Sequence, residues 1–164
     1  MLQSVYQRVC KPSPDFDFLM GIWTCRHRYL VQRLKACHDW IEFDGTCVAR
    51  KILGGYGNID EFDIALPGDR YRGMSLRTWD PDKERWTIQW LDSRYPGRIL
   101  PPVYGRFAKG AGTFYGDDEC ERRPVRVRYV WSRITGCSAR WEQAFSADRG
   151  ASWETNWVMD FTRV

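Results

Sequence analysis

Three side chains in this chain are suited to proton transfer by type and by neighbourhood. Asp60 stands two residues before Phe62, Glu42 stands between Trp40 and Asp44 at a spacing of two, and His27 alternates with Cys25 and Tyr29. A carboxyl group walled in by aromatic rings has its charged form disfavoured, which suits a general acid or base, and a nearby imidazole would complete a proton shuttle. Asp60, Glu42 and His27 are therefore the candidate catalytic residues, for a cyclisation, isomerisation or elimination on a natural-product intermediate. Asp60 also belongs to an acidic run with Glu61 and Asp63, the pattern of a solvated turn. A second set is suited to binding. Trp90, Trp141, Trp157 and Tyr129 offer flat apolar surface, while Gln143, Asn58 and the Tyr129 hydroxyl offer polar contacts that orient a ligand. The expected partner of such a set is a small apolar or aromatic molecule. Nine tryptophans also suffice to pack a barrel solid, so a ligand-binding protein, an enzyme and a packed scaffold all stay open at this point.

Other chemistries find less support. No G-x-S-x-G elbow occurs, and neither histidine stands in a recognisable order with a serine or cysteine nucleophile. The six cysteines form no C-x-x-C pair and have only His27 and His38 to join them, so neither a metal site nor a cofactor is expected. Gly54-Gly55-Tyr56-Gly57 lacks the Lys-Ser/Thr and the following helix of a phosphate loop and reads as a turn. The formal charge is +4, and only five of the 25 basic residues are lysines. The densest basic stretch, Arg122, Arg123, Arg126, Arg128 and Arg133, is offset by Asp117, Asp118, Glu119 and Glu121, so no nucleic-acid partner is expected. No apolar run is long enough for a membrane helix and the first residues lack the apolar core of an export signal, which points to a cytoplasmic protein with free thiols and no membrane partner. A homodimer is compatible with this reading.

The elements that must position these residues are strands. From residue 23 onward, period-two alternation is broken at intervals by Gly, Pro and Asp, which predicts about ten antiparallel strands over 23–33, 39–51, 57–65, 70–79, 85–93, 103–108, 111–118, 124–134, 138–147 and 153–163. Short connections favour a meander closed into a barrel, which leaves no free edge. Alternation assigns Trp86, Ile88, Trp90 and Asp92 to one face, as it does Val125, Val127, Tyr129 and Trp131; Trp141, Gln143 and Phe145; and Thr155, Trp157, Met159 and Phe161. These faces are the expected interior. One short helix is expected over 16–22, capped by Ser13-Pro14-Asp15. The whole of 1–164 reads as one domain, with 1–15 as a loosely ordered leading segment. Ser146-Ala147-Asp148-Arg149-Gly150-Ala151-Ser152-Trp153 fits the S-x-D-x-G-x-[ST]-W pattern of an Asp box, a hairpin whose Asp and Ser side chains bond the turn backbone; here it is a structural device.

Gly21-Ile22-Trp23 resembles the G-x-W opening of lipocalin-like and calycin-like barrels. With Gly54-Gly55-Tyr56-Gly57-Asn58-Ile59-Asp60-Glu61, Tyr71-Arg72-Gly73-Met74-Ser75-Leu76-Arg77, Trp79-Asp80-Pro81, Trp86-Thr87-Ile88-Gln89-Trp90, Trp141-Glu142-Gln143 and Trp153-Glu154-Thr155-Asn156-Trp157, nearly the whole chain resembles a bacterial family of lipocalin-like barrels known only as a domain of unknown function. The resemblance implies a barrel with a cavity and carries no catalytic residues. The nitrobindin-like haem barrels share the G-x-W opening, but here Thr24-Cys25-Arg26-His27 follows the tryptophan and 138–163 contains no histidine to hold iron.

Overall fold

In the computed structural model, which describes residues 11–164, the chain forms ten antiparallel strands. They are β1 (Gly21–Leu30), β2 (Trp40–Ile52), β3 (Gly57–Leu66), β4 (Asp69–Asp80), β5 (Arg85–Asp92), β6 (Val103–Ala108), β7 (Ala111–Cys120), β8 (Arg123–Ser132), β9 (Ser138–Ser146) and β10 (Glu154–Arg163). Each strand pairs with the next, and β10 returns to β1, so the meander closes into a barrel. Closure runs from Trp23↔Arg163 to Tyr29↔Trp157. The expected all-β architecture is thus present. The expected helix is not: only the 3-10 turn Asp17–Leu19 forms. The apolar residues 16–22 are too few to nucleate an α-helix, and their burial is satisfied by plugging the barrel end. Of the segment 1–15, residues 1–10 lie outside the described residues, while Trp86 Nε1–H donates to the Asp15 carboxylate at 3.0 Å.

The barrel has two unlike ends. At the closed end Phe16 and Leu19 enter the lumen, Phe16 meeting Trp86 and Phe107 edge-on, each at 5.0 Å. Trp23 Nε1–H donates to the Leu19 carbonyl at 2.7 Å. Arg163 lies over the Trp23 ring at 4.1 Å and donates to the carbonyls of Phe18, Met20 and Gly136. At the other end β5 and β6 share only the pairs from Trp86↔Gly105 to Ile88↔Val103. Beyond them the 93–102 connection swings over the rim, held by Ser93 N–H on the Arg72 carbonyl and Leu100 N–H on the Trp90 carbonyl. This end is the mouth.

The Asp box forms as its sequence requires. Asp148 accepts from the Ser152 amide at 2.9 Å and from both hydroxyls of Ser146 and Ser152, and these hydrogen bonds hold its carboxyl far below the usual range. Gly150 takes φ +96°, a conformation glycine adopts without steric cost. Of the six cysteines, the described Cys25, Cys37, Cys47, Cys120 and Cys137 are free thiols.

Candidate functional site

Behind the mouth lies a cavity of about 330 Å³. Its walls are aromatic because the adjacent strands β8, β9 and β10 present their large side chains inward and β5, across the lumen, adds Trp90. Trp141 and Trp157 meet at 88° with centroids 5.6 Å apart, Trp90 meets Trp157 at 81° and 6.2 Å, and Tyr129 meets Trp141 at 60° and 4.9 Å. Such edge-to-face packing holds the rings and leaves faces free. Trp90 lies flat across β4 because residue 73 is glycine: a Cβ there would overlap the indole ring. The Trp90 N–H is engaged by Asp92 at 3.2 Å. Asp92 sits where burial works against its charge, yet its hydrogen bonds from Arg94 and Trp90 outweigh that and keep its carboxyl below the ordinary carboxylate value.

The inner wall is polar and closed on itself. Asp60 is 0% exposed and Arg77 is 2% exposed. Their Oδ2···Nη2 separation is 2.5 Å, and the second Asp60 oxygen accepts the Ser75 amide at 2.8 Å. Arg77 Nη1 donates to Asn58 at 3.1 Å, and the guanidinium rests over Phe16 and Trp131. This arrangement follows from the β3–β4 register, in which Asp60 faces Ser75 and Asn58 faces Arg77. Both carboxylate oxygens already have partners, so Asp60 is arranged as the counter-charge of a buried arginine.

The three acid–base candidates do not come together. Glu42 is a correction to the sequence reading: β2 turns Phe43, Cys47 and Ala49 inward, so Glu42 is 48% exposed outside the barrel, paired with Arg26 at 2.9 Å. His27 does point inward, but behind the wall rather than into the cavity. It stacks on Phe43 at 4.8 Å, and its Nδ1 accepts the Trp157 N–H at 3.1 Å, which places the imidazole proton on Nε2. Gly45 gives it room, since a Cβ there would lie 2.7 Å from Nε2. Burial lowers its pKa from the ordinary 6.5 to about 4. His27 therefore orients Trp157 as a neutral ring.

That depressed pKa has a measurable sign. Between about pH 6.5 and 4 the unfolded chain binds a proton that the folded chain does not. Stability contributed by the neutral ring is present above that window and falls by about 3 kcal/mol as pH drops through it. Urea midpoints at pH 7 and pH 4.5 should show this fall, and His27→Asn, which keeps an acceptor for Trp157 and removes the titration, should flatten it.

Of the binding candidates, Trp90, Tyr129, Trp141, Gln143 and Trp157 line the cavity. Asn58 does not; it stands behind Arg77 as its partner. Gln143 donates to Asn156 at 2.8 Å. Burial pushes the Tyr129 hydroxyl pKa upward, so it stays a neutral donor at physiological pH. Alternation misses Asn156, because a bulge between Thr155 and Trp157 brings Asn156 and Trp157 both into the interior and leaves Thr155 half-buried. It also misses Ser75 and Arg77. On β4 the apolar residues Met74 and Leu76 mark the wrong face, and Tyr71, Gly73, Ser75 and Arg77 point inward instead. The acidic run behaves as expected for Glu61 and Asp63, which pair outside with Arg72 and Arg70; the alternate residue Asp60 faces in.

A closed antiparallel meander with one plugged end and an aromatic cavity at the other has the architecture of a lipocalin-like barrel fold. No protein-family model matches the chain, and no curated protein matches it. Eleven chains of solved structures do match. One of them, the S-type phycobiliprotein lyase CPES from Guillardia theta, superposes with a TM-score of 0.60 over 91% of this chain and 90% of that chain, at 11% sequence identity. At that identity the likeness is one of fold.

Proposed function

We propose that the barrel binds a small, flat apolar or aromatic molecule in the cavity behind its mouth. Trp90, Trp141 and Trp157 supply the contact surface, and Tyr129 with Gln143 supplies the polar contacts that set orientation. The observation that carries this reading is the unfilled aromatic volume itself. The closed end is packed ring against ring, whereas about 330 Å³ remains between the tryptophans of the open end, within the range of small-molecule sites. A fold shared with a protein named as a phycobiliprotein lyase is compatible with a ligand in this position. Acid–base catalysis gains nothing from the arrangement, with Glu42 outside, His27 neutral behind Trp157, and Asp60 committed to Arg77.

The test is a titration with N-phenyl-1-naphthylamine, an uncharged dye whose emission rises in apolar surroundings. Saturable enhancement is expected with the unaltered protein. Val127→Trp, placed on the cavity wall, should abolish it while the β-sheet circular dichroism persists. Absence of binding, or binding indifferent to Val127→Trp, would sink the reading.

A further inference from the structure

Arg33 occupies an unusual place in the mouth. It lies in the connection between β1 and β2, half-buried, with its guanidinium 4.4 Å over the Tyr29 ring and 5.3 Å from the Phe145 ring. It lines the opening of the cavity together with Tyr29, Cys120, Tyr129 and Phe145. The connection is strapped down just after it: Lys35 pairs with Glu121 at 2.7 Å, and the Leu34 amide donates to Glu154 at 2.7 Å. Glu121 and Glu154 are thereby occupied, while Asp118 and Glu119 stand on the facing side of the cavity lining. Arg94 is engaged by Asp92 and Asp69, yet among the described residues no carboxylate pairs with Arg33, and its Nε is buried without a partner. A cation fixed on aromatic faces above an apolar cavity, with donors to spare, is a receptor for an anion attached to an apolar body.

We propose that the ligand is an aromatic acid, bound ring-first between Trp90, Trp141 and Trp157 with one anionic group held at the mouth by Arg33. This rests on the cavity-binding reading above and adds the ligand's charge and direction. The anion belongs at the mouth because the inner wall has no charge to offer: Arg77 is already neutralised by Asp60, and a second anion beside that pair would be buried without a counter-ion.

Two dyes of the same skeleton test it. N-phenyl-1-naphthylamine reports the cavity alone, and 1-anilinonaphthalene-8-sulfonate adds one anionic group. Arg33→Gln should weaken the sulfonate by about tenfold, the size expected for a charge-assisted hydrogen bond, and leave the neutral dye within about twofold. Arg122→Gln, an exposed arginine beyond the rim, should change neither. In the unaltered protein, 1-naphthylacetate should displace the neutral dye about tenfold more effectively than 1-naphthylacetamide, a comparison that needs no variant. Equal losses for both dyes, a loss reproduced by Arg122→Gln, or equal displacement by acid and amide would overturn the proposal while leaving the cavity reading intact. Failure of the neutral dye to bind at all would overturn both.

Discussion

Arg77→Met should destabilise the protein by about 3–5 kcal/mol in urea or thermal unfolding, with Asp60→Leu in a similar range. The reason is the depth of the pair. Asp60 is fully buried, its two oxygens are taken by Arg77 and the Ser75 amide, and Arg77 adds a hydrogen bond to Asn58. Removing the guanidinium leaves a carboxylate with no counter-charge in a wall of rings, and removing the carboxylate leaves the cation equally stranded on Phe16 and Trp131. The double variant Asp60→Leu/Arg77→Met should cost markedly less than the sum of the two, because a buried ion pair replaced whole by apolar groups loses its desolvation penalty with its attraction. Additive losses, or single losses below about 1 kcal/mol, would show that the pair is not the electrostatic unit the geometry describes. The same variants separate structure from catalysis. A residue that served as a general acid would stop turnover without unfolding the barrel, whereas Asp60 is expected to lose stability first.

Trp23→Ala should cost about 3–5 kcal/mol, the range for deleting a large aromatic from a core that cannot collapse around the gap. Trp23 is buried at the closed end, where its N–H holds the Leu19 carbonyl and its face carries Arg163. Arg163→Met keeps much of the apolar cover but leaves the carbonyls of Phe18, Met20 and Gly136 without their donors. Its loss should be smaller, about 1–3 kcal/mol, and local: exchange of the Trp23 indole N–H should accelerate while the amides of β7 to β9 stay protected. This end is where the chain closes on itself, since Trp23 pairs with Arg163 in the β1–β10 seam. A loosened plug should therefore also lower binding at the mouth only modestly, because Phe16 and Trp131 still back Arg77.

Much of this molecule was legible in one dimension. Alternation with a period of two, broken by Gly, Pro and Asp, marks all ten strands, and Ser146 to Trp153 writes its own hairpin through side-chain bonds to the turn backbone. These are local events within a few residues, so local sequence suffices for them. The aromatic faces of β5, β8 and β9 were legible for the same reason: large rings alternate there with polar residues, and only one face can be buried.

What the chain alone left open is which side of β2 and β4 faces the lumen, and what meets across it. On β2 the polar and apolar residues do not separate cleanly, and Glu42 falls outside only because Phe43, Cys47 and Ala49 fit against β1 and β3. On β4, Met74 and Leu76 outrank Gly73 and Ser75 in hydrophobicity, yet the small residues go inward because Trp90 needs their space and Asp60 needs Arg77 beside it. A bulge in β10 adds Asn156 to the interior against the alternation. Barrel closure sets all three. Each strand has two possible phases, and the one adopted is chosen by registers and volumes supplied by strands far away in the chain. For the same reason the cavity, the ion pair behind it and the place of Arg33 at its mouth belong to the tertiary structure: their members are distant in sequence and are brought together only when β10 pairs with β1.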